Sequence, residues 1–226
     1  MKIGTDGVLL GAWTSVEHNP YSILDIGAGT GLIALMLAQR STAEHIEAIE
    51  IDDNAYEQCV ENFEASDWAD RLFCFHAGLD EFVAEYATEE VDTDELYDLI
   101  VSNPPFYSEE VSSGDSARDT ARQNAALPFK ELISGVSKLL SPKGVFSTII
   151  PFKEEAQFIE LASLYKLFPK RITHVKGNAN AEVKRSLLAF CFDASQIETN
   201  ELIIETKRHH YTEDYISLTK DFYLKM

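Results

Sequence analysis

The sequence predicts an α/β protein with a doubly wound, mostly parallel sheet that acquires antiparallel strands at one edge. Up to Leu167, short β-rich runs alternate with helical patterns, as in βαβ units whose crossovers generate parallel strands. After Pro169 this alternation stops. Two β-rich runs, 171–176 and 184–192, then follow each other with a Gly-Asn pair near the turn, which is typical of an antiparallel hairpin.

Each element follows from a local pattern of apolar residues. Runs rich in β-branched and aromatic residues predict strands at 22–26, 46–51, 72–75, 97–102, 145–150 and 202–205. Apolar residues spaced three or four apart predict helices that include 32–37, 52–63, 129–140, 153–167 and 211–224. Asp52 or Asp53 is the expected N-cap of the helix at 52–63, and Thr212 is that of the last helix.

Composition limits the possible classes of protein. The 226 residues are 45% hydrophobic and 25% charged, which suits one globular domain and excludes disorder, collagen and coiled coil. The apolar runs are too short for a membrane span, and the first residues lack the apolar core of a signal peptide. Cys59, Cys74 and Cys191 are far apart and odd in number, which suggests neither a disulfide framework nor a metal site. We therefore expect a cytoplasmic protein without a membrane or metal partner.

Charge is distributed unevenly along the chain. A net charge of −19 disfavours a nucleic-acid partner, whose phosphates bind basic surfaces. The part from Tyr165 onward nevertheless carries +2, against −21 for the residues before it. Its basic residues are interleaved with aromatic and histidine side chains, which suits an RNA loop, although a scattered charged surface would look similar. The basic residues of this group are Lys166, Lys170, Arg171, Lys176, Lys184, Arg185, Lys207 and Arg208.

A glycine-rich turn joins the first predicted strand to the helix that follows it. The pattern is D-x-G-x-G-x-G, with Asp25, Gly27, Gly29 and Gly31, whereas nicotinamide enzymes have G-x-G-x-x-G. Glycines allow a tight turn and a close approach of the backbone to a ligand. A carboxylate at the turn repels a pyrophosphate but attracts the ammonium of an amino-acid moiety. The motif therefore favours S-adenosylmethionine over NAD, and a tight turn without a ligand is the alternative.

Two further acidic residues follow neighbouring predicted strands. Glu50, near the end of the second strand, is placed to accept hydrogen bonds from both hydroxyls of a ribose, as in other nucleotide-binding α/β folds. Asp80 follows the third strand and is a candidate partner of the adenine amino group, with a helix N-cap as the alternative.

Residues 103–106, Asn-Pro-Pro-Phe, end the fourth predicted strand with a stiff polar turn. Pro104 and Pro105 fix φ and remove two N–H donors, which leaves the Asn103 side-chain oxygen and the Pro104 carbonyl as adjacent acceptors. Two fixed acceptors suit a ring-conjugated amino group, because hydrogen bonds from both its N–H groups direct its lone pair at a methyl donor. Phe106 would stack on the extracted base. The alternative is a strand-ending turn with Phe106 in the core.

These two motifs together resemble those of the class I amino-methyltransferases, which act on adenine N6, guanine N2 or a glutamine amide. The opening residues 1–13, Met-Lys-Ile-Gly-Thr-Asp-Gly-Val-Leu-Leu-Gly-Ala-Trp, closely resemble the narrower family of tRNA1(Val) adenine-37 N6-methyltransferases. The resemblance covers essentially the whole chain, including Arg118, Arg122 and the segment 211–215. It implies a Rossmann-like class I methyltransferase fold, S-adenosylmethionine as donor, and the adenine beside the anticodon of a valine tRNA as acceptor. The sequence departs from the family pattern at Gln123, where the family tends to have His.

Residues outside the two motifs complete the predicted site on the cofactor side. Lys2, Thr5 and Asp6 are expected to close over the methionine end of the cofactor. An exposed N-terminal segment in which Thr5 or Asp6 caps a helix is the alternative. We expect a single domain over 1–226, with a closing segment 1–13, a cofactor-binding core 22–168 and an RNA-facing part 169–226.

Basic residues form the predicted substrate side. Arg118 and Arg122 lie four apart in a polar loop and are candidate contacts to phosphates of a tRNA anticodon loop, as are Lys184 and Arg185. Solvated surface residues are the alternative. Other acceptors suit the same chemistry: guanine N2 of ribosomal RNA, adenine N6 of DNA, or a protein glutamine, although glutamine enzymes typically have Tyr where this sequence has Phe106. A non-enzymatic RNA-binding module that keeps the fold is a further alternative.

Overall fold

The computed structural model describes residues 4–86, 96–105 and 129–224. Within these ranges the α-helices are α1 (Thr5–Trp13), α2 (Leu32–Arg40), α3 (Asp53–Glu64), α4 (Leu79–Tyr86), α5 (Phe129–Leu139), α6 (Glu155–Leu164) and α7 (Glu213–Thr219). The strands are β1 (Ser22–Ile26), β2 (His45–Glu50), β3 (Leu72–His76), β4 (Tyr97–Ser102), β5 (Leu140–Pro151), β6 (Phe168–Asn178), β7 (Val183–Cys191), β8 (Glu198–Lys207) and β9 (His210–Tyr211). Short 3₁₀ turns follow β5 (Phe152–Glu154) and α7 (Lys220–Phe222).

The strands of the described ranges form one sheet in the order β3-β2-β1-β4-β5-β7-β6-β8-β9. Strands β1 to β5 run parallel to one another, and β7 lies antiparallel between β5 and β6. Strand β8 is parallel to β6, and β9 is antiparallel to β8. The predicted fold class is therefore confirmed. The strand order reverses between β1 and β4, and their carboxyl ends form the crevice where α/β proteins bind ligands.

Helices cover both faces of this sheet, and each face has its own apolar core. On one face three fully buried rings pack together, because the Phe190 ring lies 6.0 Å from that of Phe146 and 5.7 Å from that of Phe158. On the other face Leu10 of α1 and Leu37 of α2 are completely buried. Helix α1 thus belongs to the core of the fold.

Helix α1 rules out the alternative of an exposed N-terminal segment capped by Thr5 or Asp6. Its residues from Gly7 to Trp13 are all buried. Gly4 occupies the N-cap position, and no side chain bonds to the free N–H groups there, so neither Thr5 nor Asp6 caps the helix. Burial of a continuous apolar stretch, and not a cap, therefore stabilises this helix.

Two arginines from other elements hold the C-terminal end of α1. The guanidinium of Arg40 donates hydrogen bonds to the carbonyls of Gly11 (2.6 Å) and Thr14 (2.8 Å). That of Arg171 donates to the Trp13 carbonyl (2.6 Å) and lies 3.9 Å from the centre of the Trp13 ring. Cations at a helix C-terminus bind its free carbonyls and interact favourably with its dipole. Arg40 and Arg171 therefore hold α1 in place on the sheet.

Local signals for helix starts are confirmed. The Asp52 carboxylate accepts a hydrogen bond from the Ala55 N–H (2.9 Å) at the start of α3. The Thr212 hydroxyl accepts one from the Tyr215 N–H (3.2 Å) at the start of α7. Both N-caps involve residues three positions apart, so they follow from sequence alone.

Some predicted first and last residues of strands and helices are wrong. For strands β5 and β8, pairing with a neighbouring strand determines where the strand begins. Strand β5 begins at Leu140 and not at Val145, because Leu140 pairs with Tyr97 of β4. Strand β8 is longer than the predicted 202–205, because its whole length pairs with β6. The last helix is shorter than predicted and ends at Thr219.

No helix in ranges 4–86, 96–105 and 129–224 has both the length and the apolar character needed to cross a membrane.

All the strands listed above belong to one sheet, and the division of the chain into segments 1–13, 22–168 and 169–226 stays a prediction.

Candidate active site

The glycine turn between β1 and α2 has the backbone that its sequence predicts. Gly27, Gly29 and Gly31 have φ values of +70°, +59° and +78°, a region that side chains disfavour. The N–H groups of Gly27 and Ala28 both donate to the carbonyl of Ile49, at 3.0 and 3.1 Å. The turn is therefore anchored to the carboxyl end of β2.

The glycines of this turn serve different purposes. A Cβ at Gly31 would lie 2.5 Å from Cε1 of Phe63 and 2.8 Å from Sγ of Cys59, so packing against α3 requires glycine there. Around Gly27 nothing lies within 4 Å of such a Cβ, and the residue is exposed. Gly27 is thus where a ligand can approach the backbone closely.

Asp25 lies beneath the turn and not on it. The carboxyl group is fully buried, its Oδ2 accepts a hydrogen bond from the Ala34 N–H (3.1 Å), and its Oδ1 has no partner. Asp25 pairs with Ala48 and Val101 in the sheet, so its side chain enters the core face where α2 begins. The expected direct contact with a ligand's ammonium therefore does not fit this arrangement. The carboxyl group instead holds the first turn of α2.

Burial changes the acidity of Asp25. Loss of solvent raises the pKa of this carboxyl group from 3.8 to about 7; the Ala34 N–H opposes the shift, and the charge of Glu50 adds to it.

Glu50 ends β2 with a carboxylate that already serves the turn. Its Oε2 accepts a hydrogen bond from the Gly29 N–H (2.7 Å), and its Oε1 accepts from the N–H groups of Ile51 (2.8 Å) and Asp52 (2.9 Å). A carboxylate has about four acceptor positions, so one is available for a further donor. Glu50 can thus bind one ribose hydroxyl without rearrangement, whereas binding both requires that one of these contacts is released.

A depression at the carboxyl ends of β2 and β3 adjoins Glu50. Asp80 lines it as the second residue of α4, which begins at Leu79, so Asp80 is not the N-cap that the alternative interpretation required. The other lining residues are Ile51, Asp53, His76, Ala77, Gly78 and Glu81. Sequence reasoning missed Ile51 and His76. Their position at the ends of predicted strands was the signal that could have identified them.

Asn103 and its prolines lie beside the glycine turn. Ile26 of β1 pairs with Ser102 of β4, so Gly27 and Asn103 are each the next residue beyond paired residues on neighbouring parallel strands. The Ser102 hydroxyl also donates to the Ile26 carbonyl (2.9 Å). Asn103 is partly buried, and a Cβ at Gly7 of α1 would lie 3.9 Å from its Nδ2. Strand pairing therefore brings the two motifs together under the N-terminal half of α1.

Pro104 and Pro105 differ in burial. Pro104 is buried, whereas Pro105 is exposed at the mouth of the crevice. The predicted contacts of Lys2, Phe106, Arg118 and Arg122 lie outside the described residues and stay predictions.

Two residues of the predicted substrate side, Lys184 and Arg185, lie on β7. Arg185 of β7 forms an ion pair with Asp6 in the first turn of α1, with Nε 2.8 Å from Oδ2, and Lys184 beside it is exposed. Thr5 precedes Asp6 and is exposed as well. The structure thus brings Asp6, expected on the cofactor side, into contact with Arg185, expected on the RNA side.

Two residues of the predicted basic group have structural partners instead. Arg171 stacks on Trp13, as described above, and Lys176 forms an ion pair with Glu201 at 2.6 Å. Both side chains therefore already have partners within the fold, and their contact with RNA stays a prediction. Within the described part of the chain, no cluster of three or more His, Cys, Asp or Glu side chains has the arrangement of a metal site.

Comparison with known proteins agrees with this geometry. Residues 8–156 match the family model of the methyltransferase small domain. Among solved structures, a predicted O-methyltransferase from Agrobacterium tumefaciens has a TM-score of 0.69 at 19% identity, covering 96% of each chain. A TehB-like SAM-dependent methyltransferase from Corynebacterium glutamicum has a TM-score of 0.52 at 14% identity, covering 83% of this chain and 88% of that one. At these identities the likeness shows the fold alone.

Curated relatives are much more similar in sequence. A tRNA1(Val) (adenine(37)-N6)-methyltransferase of Flavobacterium johnsoniae is 61% identical over all of this chain and 94% of its own length. A relative of the same name from Christiangramia forsetii is 62% identical over all of this chain and 92% of its own length. A third, from Bacteroides fragilis, is 45% identical over the whole chain. With its glycine turn and its Asn-Pro-Pro turn on adjacent strands, the chain belongs to the tRNA1(Val) (adenine(37)-N6)-methyltransferase family.

Proposed function

We propose that this protein transfers a methyl group from S-adenosylmethionine to the exocyclic N6 of adenine 37 in tRNA1(Val). The observation that carries the proposal is the pairing of Ile26 with Ser102, which puts the open Gly27 and the acceptor Asn103 at neighbouring strand ends. A methyl donor bound at Gly27 and an amine held at Asn103 would therefore be adjacent. The names of the relatives support the same substrate.

The residues at the strand ends fit the cofactor. Gly27 leaves room for close approach, Glu50 keeps one acceptor position for a ribose hydroxyl, and Asp80 lines the depression where an adenine amino group would lie. When bound, the cofactor supplies an electrophilic methyl group on a sulfonium.

Asn103 and Pro104 would hold the amine. The Asn103 Oδ1 and the Pro104 carbonyl are acceptors, so each takes one hydrogen bond from an N6–H group. Both bonds strengthen as positive charge develops on nitrogen, which is how fixed dipoles stabilise a transition state. The cofactor would supply the methyl group to N6 while Asn103 and Pro104 hold both N–H groups, and one N6 proton would then pass to water. Because the proton leaves after attack, this chain needs no strong base.

Recognition of the anticodon loop would fall to the basic side chains near the crevice. Lys184 is exposed, and Arg185 forms an ion pair with Asp6 in the first turn of α1. Arg118 and Arg122 follow the Asn-Pro-Pro-Phe segment in sequence and are proposed as further phosphate contacts. A cytoplasmic location also stays a prediction, based on the three cysteines.

The test is methyl transfer to defined RNA. The protein is incubated with methyl-labelled S-adenosylmethionine and an unmodified tRNA1(Val) transcript, and the nucleosides are analysed by mass spectrometry. We expect N6-methyladenosine, lost when adenine 37 is replaced by guanine. Methylguanosine, labelling of DNA or of protein glutamine, or an absence of transfer despite tRNA binding would contradict the proposal, the last outcome indicating a binding module.

A further inference from the structure

An exposed aromatic ring stands at the same edge of the sheet as Asn103. Phe152 directly follows β5, the strand next to β4, and keeps 41% of its surface exposed. Ser102 of β4 pairs with Thr148 of β5. The chain therefore reaches Asn103 one residue past this pair on β4, and Phe152 four residues past it on β5. An exposed aromatic ring near a ligand crevice is a candidate surface on which a base can stack.

The ring of Phe152 rests on a histidine that is itself held in place. The two rings are 5.1 Å apart and nearly perpendicular, at 81°. Nε2 of His174 lies 2.9 Å from Oε2 of Glu155, and the buried Ser186 hydroxyl donates to the same oxygen. These contacts join β6, α6 and β7 behind the ring. An aromatic side chain fixed in this way loses little conformational entropy when a partner stacks on it.

Basic residues flank Phe152 in sequence and on the neighbouring strand. Arg185 of β7 is directly opposite Pro151, the residue before Phe152, and Lys184 next to it is exposed. Lys153 follows Phe152 and lies 3.7 Å from Glu154, with more than half of its side chain exposed. Single-stranded RNA binds where aromatic rings take its bases and cations take its phosphates.

The distance between Asn103 and Phe152 indicates which base can reach Phe152. A strand rises about 3.3 Å per residue, and neighbouring strands are about 4.8 Å apart. Three residues of rise along the strand and one strand spacing across it thus separate Asn103 from Phe152 by roughly 11 Å. That span exceeds what an adenine held by N6 at Asn103 can bridge, but it suits the next nucleotide of the same strand.

We propose that Phe152 stacks on the base of a nucleotide that flanks the methylated adenine, with the side chain of Arg185 close to that nucleotide's phosphate. The proposal rests on the function proposed above and deepens it, because it assigns part of the RNA specificity to the end of β5. Phe152 acts on binding and orientation of the substrate, and it takes no part in methyl transfer itself.

Binding of an anticodon stem-loop, measured by fluorescence anisotropy without turnover, tests the proposal separately from catalysis. Phe152→Ala should weaken RNA binding by about 10-fold or more, as expected for loss of one base–aromatic stack. Phe152→Trp should restore it, and Phe152→Leu, which keeps apolar volume without a π face, should not. Affinity for S-adenosylmethionine should stay unchanged in all three variants.

The chain offers a matched control, and the RNA offers a second. Phe73, on the far edge strand β3, is 40% exposed and also contacts a histidine ring, His45, at 5.4 Å, so Phe73→Ala should leave RNA binding unchanged. Two stem-loops, one abasic at the nucleotide before adenine 37 and one at the nucleotide after it, should identify the stacked base. The stem-loop that lacks the stacked base should bind wild type more weakly, and it should cause no further loss of binding in Phe152→Ala. The proposal would be overturned if Phe152→Leu bound RNA with full affinity. It would also be overturned if each abasic RNA lost as much affinity for Phe152→Ala as for wild type. If stacking is found but adenine 37 is not methylated, the proposed function fails alone.

Discussion

Asp6 and Arg185 connect the first turn of α1 to strand β7, with Nε of the guanidinium 2.8 Å from Oδ2 of the carboxylate. The two residues are 179 positions apart in sequence. Gly7, the next residue of α1, approaches the Asn103 side chain. The contact therefore joins β7, which carries residues proposed to bind RNA, to the helix that lies beside Asn103.

A double-mutant cycle measures this link. Asp6→Asn and Arg185→Gln remove one partner each, and the side chains are 28% and 34% exposed, so solvent screens the pair partly. We expect a coupling free energy of about 0.5–1 kcal/mol from urea unfolding of the two single variants and the double variant. Only Arg185→Gln should weaken tRNA binding, since Asp6 competes with phosphate for the guanidinium. Additive effects on unfolding would contradict the link.

Alanine substitutions should separate the roles of two glycines in the turn. Gly31→Ala combines a φ of +78° with contacts of 2.5 and 2.8 Å, so it should lower the free energy of unfolding by roughly 2–5 kcal/mol. Gly27→Ala has a similar φ of +70° but open space, and it should cost only about 1–2 kcal/mol. Its main effect should be a loss of S-adenosylmethionine affinity of about 10-fold or more, measured by calorimetry, because a methyl group would occupy the ligand's space. Equal affinity in Gly27→Ala and wild type would show that the ligand binds elsewhere.

Stability should depend on pH through Asp25. Its pKa rises from 3.8 to about 7 on folding, so the stabilisation of the protonated form is fully present below pH 4 and is lost as pH rises through 7. The free energy of unfolding of ligand-free wild type should therefore fall relative to Asp25→Asn between pH 4 and 7, by up to roughly 4 kcal/mol at about 1.4 kcal/mol per pKa unit. Denaturant titrations of both proteins at several pH values measure this difference. A difference that is constant across the window would mean that the carboxyl group is not buried.

The parts of the site that sequence predicts are those set by neighbouring residues. The glycine turn, the Asn103 turn and the Asp52 cap each depend on fewer than ten consecutive residues. Parallel pairing of β1 with β4 then follows from the fold class, and it brings Gly27 next to Asn103.

Contacts between distant residues could not be predicted in this way. The stack of Arg171 on Trp13 joins positions 158 apart, and it gives a residue expected to bind RNA a structural partner. Asp25 is conspicuous in the motif, but the face that its side chain takes depends on the register with Ala48 and Val101. Strand β8 begins with the exposed residues Glu198 to Glu201, so no apolar pattern marks its first half.

The most direct test of the account is the single-turnover rate of methyl transfer to adenine 37 in Asn103 variants, measured with S-adenosylmethionine and tRNA in excess of their dissociation constants. Asn103→Ala should bind the cofactor as wild type does and transfer methyl at least about 100-fold more slowly, the size of effect seen when one fixed dipole is removed from a transition state. Asn103→Asp, which keeps an acceptor oxygen, should retain more of the rate. A wild-type rate in Asn103→Ala with intact cofactor binding would contradict the central claim that two fixed acceptors activate the amine.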